Sequence, residues 1–303
     1  MRTAYLGTSE FAATVLRRLV ASPHKPALVV APPDRPRGRG QRLTPPPAAV
    51  AARELGLKLH QTADVNDPEA LRAIGEAAPD AVAVCAFGQL IKEPLLSERV
   101  LLNVHPSLIP RWRGAAPIER AIIAGDRSTG ITIMRVTAGL DAGPVALQEE
   151  VPIGAEDGFE STSARLAERG GELLVRAFDV LERGELDFTD QDEERATYAE
   201  KISPEERRLD PAQPAEQLAW VVRALNPHVG THLELEGGER LGVREARAVA
   251  SGPPLGEIEA GGGAPVLGTA EGGLRLDVLQ APGGRPMAAA DFLRGHEIPS
   301  AAI

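Results

Sequence analysis

The stretch V-L-L-N-V-H-P-S-L-I-P-R-W-R-G, Val100 to Gly114, decides how the rest of the chain is read. Val100 to Val104 is an apolar run broken only by Asn103, the composition of a buried strand. Pro106 and Pro110 forbid a continuing strand or an immediate helix, so the strand ends in a loop. Asn103 and His105 are two residues apart, and in extended backbone they point to the same side. An amide and an imidazole at the C-terminal end of a strand stand where open α/β sheets do their chemistry. A capping asparagine and a satisfied, half-buried histidine would leave the same signature.

Working outward, the flanks alternate strand and helix. Thr3 to Leu6 reads as a strand, and a helix capped by Ser9 follows, with Phe11, Val15, Leu16 and Leu19 on one face. Ala27 to Val30 is a second strand. The opening is of nucleotide-binding βαβ type, yet it lacks both G-x-G-x-x-G and G-x-x-x-x-G-K-[ST], so no NAD or P-loop site is implied. Further on, the pattern predicts a helix over Ala48–Leu55, a short strand at Leu57–Leu59, and a helix over Pro68–Ala77 behind Asp67. Asp80–Ala86 is a continuous apolar strand ending in F-G-Q-L-I. Past Gly114 come a helix over Ala115–Ala124 and strands at Ile131–Val136 and Val145–Pro152, the latter two joined by T-A-G-L-D-A-G-P. There Asp141, between Gly139 and Gly143, can approach a ligand or merely stabilise a turn.

An amphipathic helix is expected over Asp157–Leu181, and the acidic, polar Gly184–Glu194 reads as the linker. Beyond a helix at Ala215–Leu225 the chain turns to short strands split by glycine, between Thr231 and Leu279. The fold class expected is α/β: a Rossmann-like, mostly parallel sheet over residues 1–202 with a basic insertion at 33–47, then a small OB-like β-barrel over 203–303.

Cys85, the single cysteine of 303 residues, excludes an internal disulfide and any multi-cysteine metal site. No apolar stretch approaches the roughly 20 residues of a membrane span, and no long apolar leader opens the chain, so a soluble cytoplasmic protein is expected. Net charge is −10, shared equally between residues 1–202 and 203–303, which disfavours indiscriminate nucleic-acid binding. One segment departs from that balance. P-P-D-R-P-R-G-R-G-Q-R-L-T-P-P-P, Pro32 to Pro47, carries Arg35, Arg37, Arg39 and Arg42 against Asp34 alone. It is longer than an ordinary βα connection and does not read as helix, so it is a basic arm suited to phosphate, or a solvated loop.

Several of these motifs, taken together, resemble a known family. N-x-H at Asn103 and His105, S-L-I-P-R-W-R-G-A-A-P-I at Ser107–Ile118 and G-L-D-A-G at Gly139–Gly143 are similar to the 10-formyltetrahydrofolate-dependent formyltransferases. The resemblance extends through G-T-S-E-F near the start, G-I-T-I-M at Gly130–Met134 and T-Y-A-E-K-I-S at Thr197–Ser203. The arm D-R-P-R-G-R-G-Q-R-L narrows it to the branch that formylates methionyl-tRNA. It implies a catalytic set of Asn103, His105 and Asp141. It also implies a folate site at Phe87, Gly88, Gln89, Leu90 and Ile91, at Ser107, Leu108 and Pro110, and at Thr137, Gly139 and Leu140. Arg35, Arg37, Arg39 and Arg42 would meet the acceptor stem of initiator methionyl-tRNA, with Arg39 reading its first pair, and Arg111 and Arg113 could add phosphate contacts. 10-Formyltetrahydrofolate would be a co-substrate, with no tightly bound cofactor and no metal, and a monomer is expected.

The chemistry agrees with those residue types. Formyl transfer passes through a tetrahedral oxyanion, which needs hydrogen-bond donors such as the Asn103 amide and a His105 ring N–H. An imidazole is the natural proton shuttle near neutral pH, and a carboxylate such as Asp141 would orient it. Three other readings stay open: a formyltransferase acting on an amino sugar nucleotide, a formate-releasing hydrolase, and a non-catalytic RNA-binding protein. The arginine arm speaks against the first two, and the intact trio against the last.

Overall fold

The computed structural model describes residues 1–37, 40–236, 238–261, 263–298 and 301–302. Among these, two compact units are distinguished. The first comprises Met1–Pro117, Ser128–Pro152 and Ser163–Ala199; the second comprises Ile118–Arg127, Ile153–Thr162 and Glu200–Ile303.

The sheet of the first unit runs in the order Val145–Pro152, Ser128–Arg135, Val100–His105, Ala81–Cys85, Thr3–Gly7, Pro26–Ala31, Leu59–Gln61. The five strands from Val100–His105 to Leu59–Gln61 are parallel; the other two complete the sheet antiparallel. Burial on both faces explains the unbroken apolar composition of Ala81–Cys85. On one face Ala4, Leu6, Leu28, Val30, Val82, Val84 and Leu101 pack with Ile74 and Ala77 of the helix Pro68–Ala77. The long helix Phe159–Glu182 covers part of the other face. A Cβ at its Gly170 would lie 2.9 Å from Val104 Cγ1, so a glycine lets helix and strand approach. Val104 thus points towards that helix, and the pleat sends Asn103 and His105 the opposite way.

Helix starts follow their caps. Ser9 accepts from Ala12 N at the start of Glu10–Val20, and Asp67 accepts from Ala70 N at 2.7 Å at the start of Pro68–Ala77. The basic arm differs from a plain loop. Arg35–Arg37 pairs antiparallel with Arg42–Thr44, a hairpin too short to leave an alternation signal.

In the second unit an antiparallel sheet runs in the order Thr231–Glu234, Arg240–Val249, Gly273–Gln280, Ala264–Gly268, Ile258–Gly261, with Met287–Ala288 beside Gly273–Gln280. Ala302 pairs with Leu235 at one edge and Ala301 with Glu257 at the other, which joins the two edges into a small barrel. Two short segments from within residues 1–202, Ile118–Arg127 and Ile153–Thr162, belong to this unit. The causes are local. Arg120 pairs with Glu206 and donates to Glu200 O, Arg223 donates to the carbonyls of Ala155 and Asp157, and Trp220 fills the space over Gly125.

Candidate active site

Three side chains from two segments meet at the end of the central strand. Val100–His105 runs one residue past the expected end, and its register sets Asn103 opposite Met134 and His105 opposite Thr132. Asp141 arrives on the loop between Ser128–Arg135 and Val145–Pro152, in left-handed backbone with φ +48°. Asn103 Nδ2 donates to Asp141 Oδ1 at 3.4 Å, and His105 Nδ1 lies 3.6 Å from Asp141 Oδ2. Gly114 N donates to the same Oδ2 at 2.9 Å, fixing the carboxylate. His105 is 4% exposed.

The other imidazole nitrogen, Nε2, stands 2.9 Å from the carbonyl oxygen of Trp112. A carbonyl only accepts, so Nε2 carries hydrogen and Nδ1 is left to exchange a proton. The Trp112 backbone, rather than Asp141, therefore fixes the tautomer. Trp112 adopts φ +63°, and Ala86, just before the Phe87–Ile91 turn, adopts φ +44°. With Asp141, three non-glycine residues in left-handed backbone stand around the strand ends, where such strain gathers at functional sites.

The loop from Pro106 to Gly114 is held from two sides. Thr132 Oγ1 donates to Ser107 O at 2.7 Å, and Gln148 Nε2 donates to Ile109 O at 2.9 Å. Thr197 Oγ1 accepts from Trp112 N at 2.9 Å, and Arg113–Gly114 pairs with Tyr198–Ala199. The Asp141 loop is held by Gln191, whose Nε2 donates to the carbonyls of Asp141 (2.8 Å) and Gly143 (2.6 Å). Gln191 Oε1 accepts from Arg113, whose guanidinium also pairs with Glu193 at 2.7 Å. That pairing holds the Glu193 carboxyl below the usual carboxylate range. The stretch Gly184–Glu194, which reads as a linker, thus braces the site. No periodicity announces Gln191, because its partners are backbone carbonyls distant in sequence.

The remaining candidates separate. Phe87 and Ile91 are buried, Gly88 turns with φ +73°, and Leu90 is 67% exposed. The Gln89 side chain is occupied, donating to Thr62 O at 3.0 Å and accepting from Val65 N at 2.7 Å. Ser107 Oγ donates to Arg111 O, Pro110 O accepts from Thr197 N, and Leu108 packs against Gly130. Thr137, Gly139 and Leu140 are exposed. A cavity of about 230 Å³ opens between the Phe87–Gln89 turn and the base of the arm, lined by Thr8, Pro32, Pro33, Arg35 and Pro46. Arg35 and Arg42 are exposed, the backbone of Arg37 belongs to the hairpin, and Arg39 lies outside the described residues. Arg111 is exposed and stacks over the Trp112 ring at 4.4 Å. Arg113 corrects the expectation of a phosphate contact: it is 1% exposed, with its guanidinium committed to Gln191 and Glu193.

Fold and site are those of an α/β enzyme with an amide, an imidazole and a carboxylate gathered at a strand end. The chain belongs to the formyl transferase family, matching "Formyl transferase" over residues 1–178 and "Formyl transferase, C-terminal domain" over residues 201–297. It is 42% identical to the methionyl-tRNA formyltransferase of Halorhodospira halophila over 302 residues, 98% of this chain and 97% of that protein. It is 41% identical to the methionyl-tRNA formyltransferase of Methylobacillus flagellatus over 301 residues, again 98% and 97%. Among solved structures, HypX from Aquifex aeolicus in complex with tetrahydrofolic acid shares the fold at TM-score 0.65 and 18% identity; the match covers 100% of this chain and 50% of HypX.

Proposed function

We propose that this protein transfers the formyl group of 10-formyltetrahydrofolate to the α-amino group of methionine on initiator methionyl-tRNA. The observation that carries the reading is the convergence of Asn103 and His105 on Asp141, at 3.4 and 3.6 Å, at the end of the central strand. Full-length identity to methionyl-tRNA formyltransferases favours this acceptor over an amino sugar nucleotide. The folate acts as a co-substrate released after each turnover, bound along the Phe87–Ile91 turn and the Thr137–Asp141 loop. The arm, with Arg35, Arg37, Arg39 and Arg42, meets the acceptor RNA. The protein works as a monomer in the cytoplasm.

In this mechanism the amine nitrogen attacks the formyl carbon, and the carbonyl oxygen becomes an oxyanion. Asn103 Nδ2 has one hydrogen directed at Asp141 and a second left for that oxygen. The amine loses a proton as the new C–N bond forms, and N10 of the folate gains one as the old bond breaks. His105 Nδ1 is the ring nitrogen able to carry it, because Nε2 is committed to Trp112 O. Asp141 stabilises the cationic imidazole across 3.6 Å. Purified protein with 10-formyltetrahydrofolate is expected to formylate initiator methionyl-tRNA in preference to elongator methionyl-tRNA. Formylation of an amino sugar nucleotide with neither tRNA modified would overturn the reading.

A further inference from the structure

Among the described residues Arg113 is the largest side chain to be fully buried. Burying a cation is costly unless its donors are used. Nη1 and Nη2 donate to the Glu193 carboxylate at 2.9 and 2.7 Å, while Nε and Nη2 donate to Gln191 Oε1 at 2.9 and 2.7 Å. Bonds with Glu193, and then with Tyr198, hold the guanidinium above its usual value, although burial works the other way. Glu193 supplies the counter-charge. The edge spent on Gln191 neutralises nothing, and its effect lies beyond Gln191.

A carboxamide has nearly the same shape either way round, so its partners decide which end presents oxygen. Arg113 offers donors only, and the carbonyls of Asp141 and Gly143 only accept. With Oε1 held by two N–H groups of Arg113, Nε2 must face the two carbonyls, at 2.8 and 2.6 Å. Turned over, the amide would set its oxygen against two carbonyl oxygens and its NH₂ against a guanidinium. The next residue works on the other end of Asp141, because Gly114 N donates to Oδ2 at 2.9 Å. Main chain and carboxylate of Asp141 are thus both held from Arg113–Gly114, in a residue whose left-handed φ of +48° needs holding.

We propose that Arg113 is a positioning residue for the reaction: by fixing the polarity of the Gln191 amide, it sets the Asp141 carboxylate where Asn103 and His105 meet it. Glu193 is its counter-ion. The catalytic part of this rests on the function proposed above; the geometric part does not.

Gln191→Glu is the decisive variant, because it keeps the length of the side chain and its pairing with Arg113 but has no N–H for the two carbonyls. Arg113→Lys is the companion: a compact ammonium replaces the planar fork and cannot serve Gln191 and Glu193 alike. The Gly114 amide resonance, in proton–nitrogen correlation spectra of the full chain, reports the bond to Asp141 Oδ2 and needs no substrate. It is expected to move upfield and to exchange faster in both variants. In formylation of methionyl-tRNA, Gln191→Glu is expected to lose about 10²-fold in kcat, the scale of a 1 Å misplacement, with KM for folate and for tRNA unchanged. A Gly114 resonance left as in wild type overturns the positioning. So does a wild-type kcat in Gln191→Glu, or a loss carried by KM, which a binding role would give. Wild type that formylates no tRNA fails the reading of function, and the Gly114 amide still decides this one. Should one variant fail to fold, the other is read by the same measurements.

Discussion

Trp112 contributes a carbonyl oxygen to the site, and that oxygen decides which nitrogen of His105 works. A ring with Nε2 committed can act only through Nδ1, on the side of Asp141 and Asn103. Asn103→Ala removes the proposed oxyanion donor and is expected to lower kcat by about 10²–10³-fold with folate binding retained, as steady-state kinetics and a folate titration would read. Gln191→Leu removes both donors that hold the Asp141–Gly143 turn. Among the described residues the carboxylate is then placed by Gly114 N and Asn103, with His105 beside it, and kcat is expected to fall by roughly 10²-fold, the scale of a 1 Å misplacement. A kcat equal to wild type would remove Gln191 from the positioning of the site.

Loops and short strands carry the site, and close backbone packing holds them. A Cβ at Gly143 would fall 1.8 Å from Arg135 O, so Gly143→Ala must displace the loop that carries Asp141. It is expected to cost about 1–3 kcal/mol in urea unfolding and to lower activity with it. On the arm, Arg39→Ala is expected to raise KM for tRNA and leave the folate KM alone; an unchanged tRNA KM would make the hairpin a solvated surface element. Elements with a strong local signal were legible from sequence. The strand Val100–His105 is ended by Pro106, and two capped helices begin where Ser9 and Asp67 place them. The arm hairpin was not legible, since three-residue strands of arginine, proline and leucine have no period. Nor was the bracing role of residues 184–194, where polarity marks hydrogen bonds to a distant loop as readily as it marks solvent. The family resemblance carried by N-x-H and G-L-D-A-G pointed to the trio that comes together here, whereas no motif covered Gln191.

Across the molecule, pH dependence follows from two paired carboxyls. Hydrogen bonds from Arg113 hold Glu193 below its ordinary pKa, and those from Arg120 do the same for Glu206. The native state therefore binds fewer protons at these groups than the unfolded chain. Their stabilisation is complete above the ordinary glutamate value of ~4.3 and is lost as pH falls through the lowered native values. Glu193→Gln is expected to flatten the dependence of unfolding free energy on pH below about 5, measured by urea titration across that range; an unchanged slope would show that Arg113 does not couple to Glu193 in solution. At the alkaline side, burial pushes the Cys85 thiol up to about 12, so native protein at pH 8 should resist iodoacetamide and react only when unfolded. The central claim, that the side chains at the end of Val100–His105 move a formyl group onto initiator methionyl-tRNA, is met most directly by single-turnover transfer from 10-formyltetrahydrofolate. Wild type should convert bound methionyl-tRNA to its formylated form, while His105→Ala binds folate and tRNA but transfers slowly, with most of the rate lost. A near-wild-type transfer rate in His105→Ala would contradict the account.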